Sequence, residues 1–229
     1  MDRGTTLELT AADGHKTPAY VAAPHDPARG AVVILPEIFG VNSHIRAVAD
    51  GYAEAGYCAI ALATFERVRP GVELAYTPHD IHVGVGLKAA VEALPPPGVM
   101  PDIQAAIDHA GAHGKVGVIG FCWGGLLTWR AACTLRNLSA AVVYYGGGMT
   151  RPEEIARMPQ VPVMAHLSDR DASVPLSGVD EFKKAHGEVE VHLYSADHGF
   201  NCDQREAWNA ASAQQARART LAFLGAHLS

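Results

Sequence analysis

A short turn of small residues that follows an apolar run is the segment that most constrains the fold. Residues 115–119 are Lys-Val-Gly-Val-Ile, and residues 120–125 are Gly-Phe-Cys-Trp-Gly-Gly. Glycines two positions before and after Cys122 permit a strained strand-to-helix turn that lifts the side chain above a sheet. In a chain of this composition, Gly-x-Cys-x-Gly arises by chance only about 0.04 times. The pattern, usually built on serine, therefore predicts a cysteine nucleophile and covalent acyl chemistry.

The rest of the chain alternates between strand-like and helix-like segments. Apolar or alternating runs predict strands at residues 5–10, 17–23, 31–36, 57–63, 115–120, 140–145, 161–167 and 189–194. Helical spacing predicts helices at residues 43–55, with Ser43 as the N-cap, and at 80–94, 102–113, 124–136, 176–186 and 204–228. Strands separated by helices favour an α/β fold with a mostly parallel central sheet flanked by helices.

Composition and charge exclude several classes of protein. The chain has 229 residues, 48% of them hydrophobic, and a formal net charge of −6 without a basic run, which argues against a nucleic-acid surface. The longest apolar runs, such as residues 30–36, are too short to span a bilayer. The first ten residues lack the basic and apolar regions of a signal peptide, and the four cysteines lack C-x-x-C spacing. We expect one domain over residues 1–229, located in the cytoplasm.

A thiol nucleophile needs a base, and the base needs a group that orients it. Asp171 and His198 each follow a predicted strand, and the carboxyl ends of parallel strands share one edge of a sheet. The order Cys122, Asp171, His198 is that of α/β-hydrolases. Asp169 competes with Asp171 for the acid role, and Asp197 is interpreted as a turn residue.

The same edge should carry an oxyanion hole. We expect the backbone N–H of Trp123, directly after the nucleophile, to be one donor. The second donor should come from the loop after the first buried strand, and Ile38 is the predicted residue.

The chain resembles the dienelactone hydrolase family of α/β-hydrolases. The resemblance rests on Pro-Glu-Ile-Phe-Gly at residues 36–40, the turn at 120–125, Asp171 with Val-Pro at 174–175, and His-Gly-Phe at 198–200. It also includes residues 70–74 and 219–224, so it spans nearly the whole chain. It implies an α/β-hydrolase domain without a large cap or a cofactor, and a reaction that opens a small lactone carrying a carboxylate.

The resemblance also implies a role for Glu37. The resemblance implies that Glu37 pairs with either the thiol or an arginine in the resting enzyme, and that substrate binding displaces it. A carboxylate near the sulfur disfavours the thiolate and so protects it from oxidation between turnovers. The alternative is that Glu37 is a solvated loop carboxylate.

This chain departs from the family in its arginines. The family binds the substrate carboxylate with one arginine before the middle helix and another four residues after the catalytic histidine. Here position 202 is cysteine, and residues 78–87 contain no arginine. Arg205, Arg67 and Arg69 are the candidate replacements, since a carboxylate is best held by a guanidinium.

Other residues have two interpretations each. Four aromatic residues either contact substrate or pack beside the turn: Phe39, Trp123, Tyr145 and Phe200. Cys202 either lines the site or fills space. His109 and His113 are spaced i,i+4 without a third ligand nearby, so a solvated helix face is favoured and we expect no metal site.

The sequence thus predicts a monomeric ester hydrolase, with a weak dimer as the alternative, that acts on a small lactone or ester through an acyl-cysteine. Partners other than the small-molecule substrate, such as nucleic acid or a membrane, are not expected. A carboxylesterase or thioesterase with another substrate preference is the nearest rival. A catalytically silent binding protein and a redox sensor are rivals from other classes.

Overall fold

Eight strands form one mixed sheet in the protein, of which the computed structural model describes residues 4–228. The strands are β1 (Thr5–Thr10), β2 (Lys16–Ala22), β3 (Ala31–Leu35), β4 (Cys58–Leu62), β5 (Val116–Phe121), β6 (Ala140–Tyr144), β7 (Val163–Ser168) and β8 (Glu190–Tyr194). Their order across the sheet is β1-β2-β4-β3-β5-β6-β7-β8. β1 and β4 pair antiparallel with β2, and the other neighbours are parallel. The predicted α/β fold with a mostly parallel sheet is confirmed. Residues 1–3 and 229, at the ends of the predicted domain, lie outside the described residues.

Helices cover both faces of this sheet. They are α1 (Ser43–Glu54), α2 (Pro78–Glu92), α3 (Met100–Ala110), α4 (Trp123–Thr134), α5 (Pro152–Ile155), α6 (Leu176–Ala185) and α7 (Ala210–Leu228). The buried side chains of α1 and α7 pack in one apolar cluster, and those of α3, α4 and α6 pack in the other. None of the helices within residues 4–228 combines the length and apolar character needed to cross a membrane.

The central strands explain why the core has two layers. All five residues of β3 are buried, and its side chains alternate between the two apolar clusters, with Val33 and Leu35 in one and Val32 and Ile34 in the other. A strand buried on both faces requires a continuous apolar run, which is what residues 31–35 provide. The sheet's carboxyl edge is therefore held by a rigid core on both sides.

One predicted N-cap and one predicted helix start are wrong. Asn42, and not Ser43, is the N-cap of α1, because the Asn42 side chain accepts a hydrogen bond from the Ile45 N–H at 3.2 Å. The last helix begins at Ala210 rather than at residue 204, because the Asn209 side chain accepts from the Ser212 N–H at 3.0 Å. Residues 204–209 form turns instead.

Two further differences involve short segments. Helix α3 ends at Ala110, and a single 3-10 turn at Gly111–His113 replaces the predicted continuation to residue 113. His109 and His113 are both exposed, as expected for a solvated face. Helix α5 is one turn long and was not predicted, because four residues are too few for a periodic apolar pattern.

Candidate active site

Cys122 lies between the end of β5 and the start of α4, in a strained backbone conformation. Its φ and ψ are 55° and −118°, a combination that costs free energy for any residue with a Cβ. Its N–H donates to the Tyr144 carbonyl at 3.0 Å, and its carbonyl accepts from the Gly147 N–H at 3.2 Å. Hydrogen bonds to β6 and to the loop after it thus fix the N–H and carbonyl groups of Cys122 and stabilise the strained turn.

The glycines around Cys122 permit the close approach of α4 to the sheet. A Cβ added to Gly124 would lie 2.5 Å from the Pro36 carbonyl oxygen and still closer to that of Leu35. A Cβ added to Gly120 would collide with the carbonyl oxygen of Gly124. The first turn of α4 therefore packs directly on the loop that follows β3, so the two loops predicted to form the oxyanion hole are adjacent.

Asp171 and His198 meet at this edge of the sheet. Asp171 follows β7 and His198 follows β8, and the His198 Nδ1 lies 2.6 Å from the Asp171 Oδ2. The other carboxylate oxygen of Asp171 accepts from the Ser173 N–H at 2.7 Å, and Asp171 is buried. Asp169 lies 3.7 Å from Arg170 instead, so Asp171 is the carboxylate that contacts the histidine.

The His198 ring also contacts the Cys122 thiol. Burial disfavours the charged ring, but the charge of Cys122 and hydrogen bonds to Asp171 and Cys122 outweigh it, so the pKa of His198 is raised from 6.5 to about 10. Since Nδ1 is engaged by Asp171, Nε2 is the ring nitrogen that remains to interact with the sulfur. Tyr145 packs edge-on against the ring at 5.1 Å between centroids. The arrangement is suited to hold a thiolate–imidazolium pair.

Glu37 and Arg205 form a buried ion pair beside these groups. The Arg205 Nη1 donates to the Glu37 Oε1 at 3.1 Å, and Glu37 is 1% exposed. The second oxygen of Glu37 is buried and has no hydrogen-bond partner among the described residues. Burial disfavours the charged guanidinium, but Glu37 offsets this and keeps the pKa of Arg205 above its ordinary value. Glu37 is therefore not a solvated loop carboxylate.

Arg205 is held by more than its ion pair. Its guanidinium carbon lies 5.6 Å from the ring centre of Phe39 and 6.0 Å from that of Tyr76. Its Nη1 packs on Gly199, where a Cβ would collide with it and where φ is +88°. Because Gly199 has no side chain, the guanidinium of Arg205, seven residues after His198, can reach the site.

The other two candidate arginines do not reach the site. Arg67 donates to both oxygens of Asp102 at 2.6 and 2.8 Å and also pairs with Asp13 at 2.8 Å. Arg69 is exposed in the loop after β4. Of the three candidates, Arg205 is the one beside Glu37.

The two predicted oxyanion donors have free backbone N–H groups. Outside regular helix and strand bonds, no backbone hydrogen bond from Ile38 or Trp123 is formed within residues 4–228. The Trp123 indole is buried, donates to Glu92 at 2.9 Å and stacks on Phe65 at 4.9 Å. Trp123 can therefore offer the site only its N–H, which as the first residue of α4 lacks an acceptor within the helix.

The remaining predicted pocket residues are mostly packed. Phe39 and Phe200 are 2% and 0% exposed, and Phe200 contacts the rings of Tyr145 and Tyr194. Cys202 is fully buried, and burial, with the nearby Glu37, raises the pKa of its thiol to about 11. The Tyr145 hydroxyl is also buried and unpartnered among the described residues. A cavity of about 620 Å³ is lined in part by Tyr76, Asp197 and Arg205.

Two residues near this site were not singled out from the sequence. Tyr76 packs edge-on against Phe39 with 4.5 Å between ring centroids, faces Arg205 and lies beside the Cys202 thiol. Asn42 donates to the Tyr76 hydroxyl at 3.0 Å. Tyr76 lies in an irregular loop, so no periodic pattern in the sequence could have indicated that it belongs to the site.

The chain is similar to proteins of one family over nearly its full length. A model of the dienelactone hydrolase family matches residues 17–228. The carboxymethylenebutenolidase of Pseudomonas putida is 30% identical, over 95% of this chain and 94% of that protein. A crystal structure from Klebsiella pneumoniae has a TM-score of 0.79 and 30% identity, over 96% of this chain and 97% of that one. A dienelactone hydrolase-like promiscuous phosphotriesterase from metagenomic libraries has the same fold, with a TM-score of 0.75, 22% identity and coverage of 99% and 100%.

Proposed function

Because the chain belongs to the dienelactone hydrolase family and is a hydrolase that acts on ester bonds, we propose that it opens a small lactone through an acyl-cysteine on Cys122. The observation that carries the proposal is the convergence at one sheet edge of the strained Cys122 and the 2.6 Å bond between Asp171 and His198. A nucleophile, a base and a group that orients the base are the three parts that such chemistry needs.

In the proposed acylation step, the Cys122 sulfur attacks the lactone carbonyl carbon and the thiol proton resides on His198. The carbonyl oxygen becomes an oxyanion that accepts hydrogen bonds from the N–H groups of Ile38 and Trp123. When the ring C–O bond breaks, His198 returns its proton to the departing oxygen. Asp171 holds Nδ1 protonated, which leaves Nε2 directed toward the sulfur.

In the proposed deacylation step, His198 removes a proton from water, and the resulting hydroxide attacks the thioester carbonyl. The C–S bond breaks, and the thiolate is restored beside the imidazolium. Since a thiolate is itself a good leaving group, acylation proceeds forward only when the substrate expels a stabilised anion such as an enolate. Activated lactones and aryl esters are therefore favoured over alkyl esters.

Glu37 and Arg205 would select the charge of the substrate. A substrate carboxylate that binds Arg205 takes the position of the Glu37 carboxylate, which then has to move. The family arginine four residues after the histidine is replaced by Cys202, and Arg205 offers a guanidinium at the same site from a later position in the chain. This supports an anionic lactone as the substrate class.

The mechanism is tested by trapping the acyl-enzyme. An activated aryl ester is mixed with the enzyme and quenched with acid during the first turnover, and the protein mass is measured. We expect one added acyl group, mapped to the peptide that contains Cys122. The Cys133→Ser variant serves as the matched control and should label normally. Unchanged hydrolysis by Cys122→Ala would refute the acyl-cysteine, whereas a purified wild-type protein without any hydrolysis would favour a silent binding protein.

A carboxylesterase of neutral substrates is the second candidate, and the specific observation in its favour is the absence of arginine from residues 78–87 and from position 202. The two candidates are separated by kcat/KM for an anionic enol-lactone and for a neutral aryl ester of similar leaving group. A strong preference for the neutral ester would reject the dienelactone assignment and leave the triad untouched.

A further inference from the structure

Three side chains with metal-binding atoms converge outside the catalytic groups. His44 is the second residue of α1, and Cys202 and Asp203 lie in the loop between β8 and α7. One nitrogen, the sulfur and one carboxylate oxygen of these residues all lie within 4.8 Å of one another. His44 and Cys202 are buried, whereas the Asp203 side chain is 64% exposed. The protein thus encloses the cluster at His44 and Cys202, and the cluster faces solvent at Asp203.

The spacing of these atoms is close to that of ligands around one ion. The His44 Nδ1 lies 3.2 Å from the Asp203 Oδ1. Two such atoms bound tetrahedrally at about 2.1 Å would be roughly 3.4 Å apart, and a sulfur at about 2.3 Å would be roughly 3.6 Å from each. The sulfur therefore needs to approach the other two ligand atoms by about 1.2 Å at most. The exposed Asp203 side chain is free to rotate, whereas the approach of the sulfur to His44 needs a small shift of the loop that carries Cys202.

The Cys202 sulfur is buried near Glu37, and both conditions disfavour its thiolate until a cation binds. The Tyr76 hydroxyl and the Gln204 backbone N–H lie beside the sulfur. Donors directed at a metal-bound sulfur orient it and stabilise its charge. The His44 Nδ1 contacts Asp203, and when it binds a metal instead, the ring proton resides on Nε2, which is buried without a hydrogen-bond partner among the described residues.

An ion can reach the cluster through a neighbouring cavity. A cavity of about 390 Å³ between α1 and α7 is lined in part by His44 and Asp203, together with Asn201 and Trp208. It provides an entry path and room for a water molecule in a fourth coordination position.

We propose that His44, Cys202 and Asp203 bind one divalent transition-metal ion of the Zn²⁺ type, with a water from the cavity as the fourth ligand. One sulfur, one nitrogen and one oxygen ligand suit Zn²⁺ and Co²⁺, whereas Mg²⁺ and Ca²⁺ prefer oxygen ligands. On binding, the Cys202 S–H bond breaks, its proton passes to solvent and a metal–sulfur bond forms. The ion links α1 to the loop that carries Arg205, three residues after Cys202.

The site is tested with Co²⁺ chloride as a spectroscopic probe. The full-length Cys122→Ala variant is used, so that the catalytic thiol cannot bind the metal and the result does not depend on the proposed hydrolysis. We expect a cobalt–thiolate charge-transfer band that saturates at one ion per chain and is lost when Zn²⁺, which binds such sites more tightly, is added. Circular dichroism of each variant verifies that it is folded.

Three further variants in the same background assign the ligands. Cys202→Ser should abolish the band, and His44→Ala and Asp203→Ala should each raise the Kd at least about tenfold. Asp197→Ala, an exposed carboxylate in the same loop region, is the matched control and should leave the Kd unchanged. The proposal is overturned if no band appears or if the band survives in Cys202→Ser. It is also overturned if Asp203→Ala, which cannot disturb the core, binds Co²⁺ as well as its parent.

Discussion

The strained turn at Cys122 depends on the close approach of α4 to the loop after β3, and the Gly124→Ala substitution tests this directly. The added Cβ would lie 2.5 Å from the Pro36 carbonyl oxygen and closer still to that of Leu35, whereas ordinary contacts begin at 3.4 Å, so α4 or the loop has to move by more than about 0.9 Å. Both carry predicted oxyanion donors. A displacement of about 1 Å in catalytic geometry costs roughly 100-fold in rate, and overpacking a core costs about 1–3 kcal/mol.

We therefore expect Gly124→Ala to lower kcat/KM for an activated aryl ester about 100-fold and to lower the free energy of unfolding by about 1–3 kcal/mol. The assays are initial rates with that ester and urea unfolding followed by circular dichroism. Gly86→Ala in the exposed part of α2 is the matched control, because its Cβ would meet nothing within 4 Å. In a helix interior that change should raise stability by about 0.5–1 kcal/mol and leave the rate unchanged.

The two measurements together separate a local effect from a global one. If Gly124→Ala retains its kcat/KM within about twofold, the close packing of α4 is not what positions the donors. If the unfolding free energy falls while the rate is maintained, the glycine serves packing alone.

Four further predictions concern single side chains. The pKa of His198 is raised from 6.5 to about 10, so its ring keeps its proton at neutral pH and loses it as the pH rises through about 10. The rate of hydrolysis in a pH–rate profile should therefore fall as the pH rises through about 10. A fall in the rate near pH 7 would contradict this prediction. Asp171→Asn should lower kcat about 10²- to 10⁴-fold and shift the same limb to lower pH, in contrast to a purely structural defect, which would leave the limb in place. Arg205→Lys should raise KM for an anionic lactone about tenfold or more and leave a neutral aryl ester unaffected, and equal losses on both substrates would argue against carboxylate binding at this residue. Glu154 is buried and lies 2.7 Å from both Arg130 and Arg157, so it stabilises the fold. Glu154→Gln should lower the free energy of unfolding in urea by about 3 kcal/mol. A decrease no larger than that caused by Glu153→Gln, a change at the exposed neighbouring residue, would refute the role of the buried charge.

The sheet could be predicted because its strands are specified locally. Each buried strand is a short apolar run bounded by glycine, proline or polar residues, and β3 and β5 are predicted to within two residues at each end. The start of α7 could not be predicted, because residues 204–209 include good helix formers and the turn they form depends on contacts elsewhere. The two neighbouring cap residues Asn42 and Ser43 are chemically equivalent as N-caps, so local preference could not choose between them.

The sequence could suggest that Glu37 pairs with the thiol or an arginine, but it could not identify the partner, because Glu37 and Arg205 are 168 residues apart in the chain. The sequence indicated that Arg205 was one of three candidates, and only the fold removes the other two. Arg67 is engaged by Asp102, 35 residues away, and Arg69 is exposed. Pairings between loops of distant crossovers depend on where each loop lies in three dimensions, which residue types alone do not specify.

The geometry of the ion pair between Glu37 and Arg205 favours replacement of the Glu37 carboxylate by a substrate carboxylate. Glu37 accepts one hydrogen bond from Arg205 with one oxygen, while its other oxygen is buried and unpartnered among the described residues. A buried carboxylate oxygen without a donor costs about 1–3 kcal/mol or more. A substrate carboxylate that accepts two hydrogen bonds from the guanidinium would gain a bidentate contact, and a displaced Glu37 that reaches water would lose that cost. In the proposed mechanism, the unsatisfied oxygen of Glu37 thus lowers the free energy needed to exchange one carboxylate for another, and a glutamate with both oxygens satisfied would bind Arg205 too tightly to be exchanged.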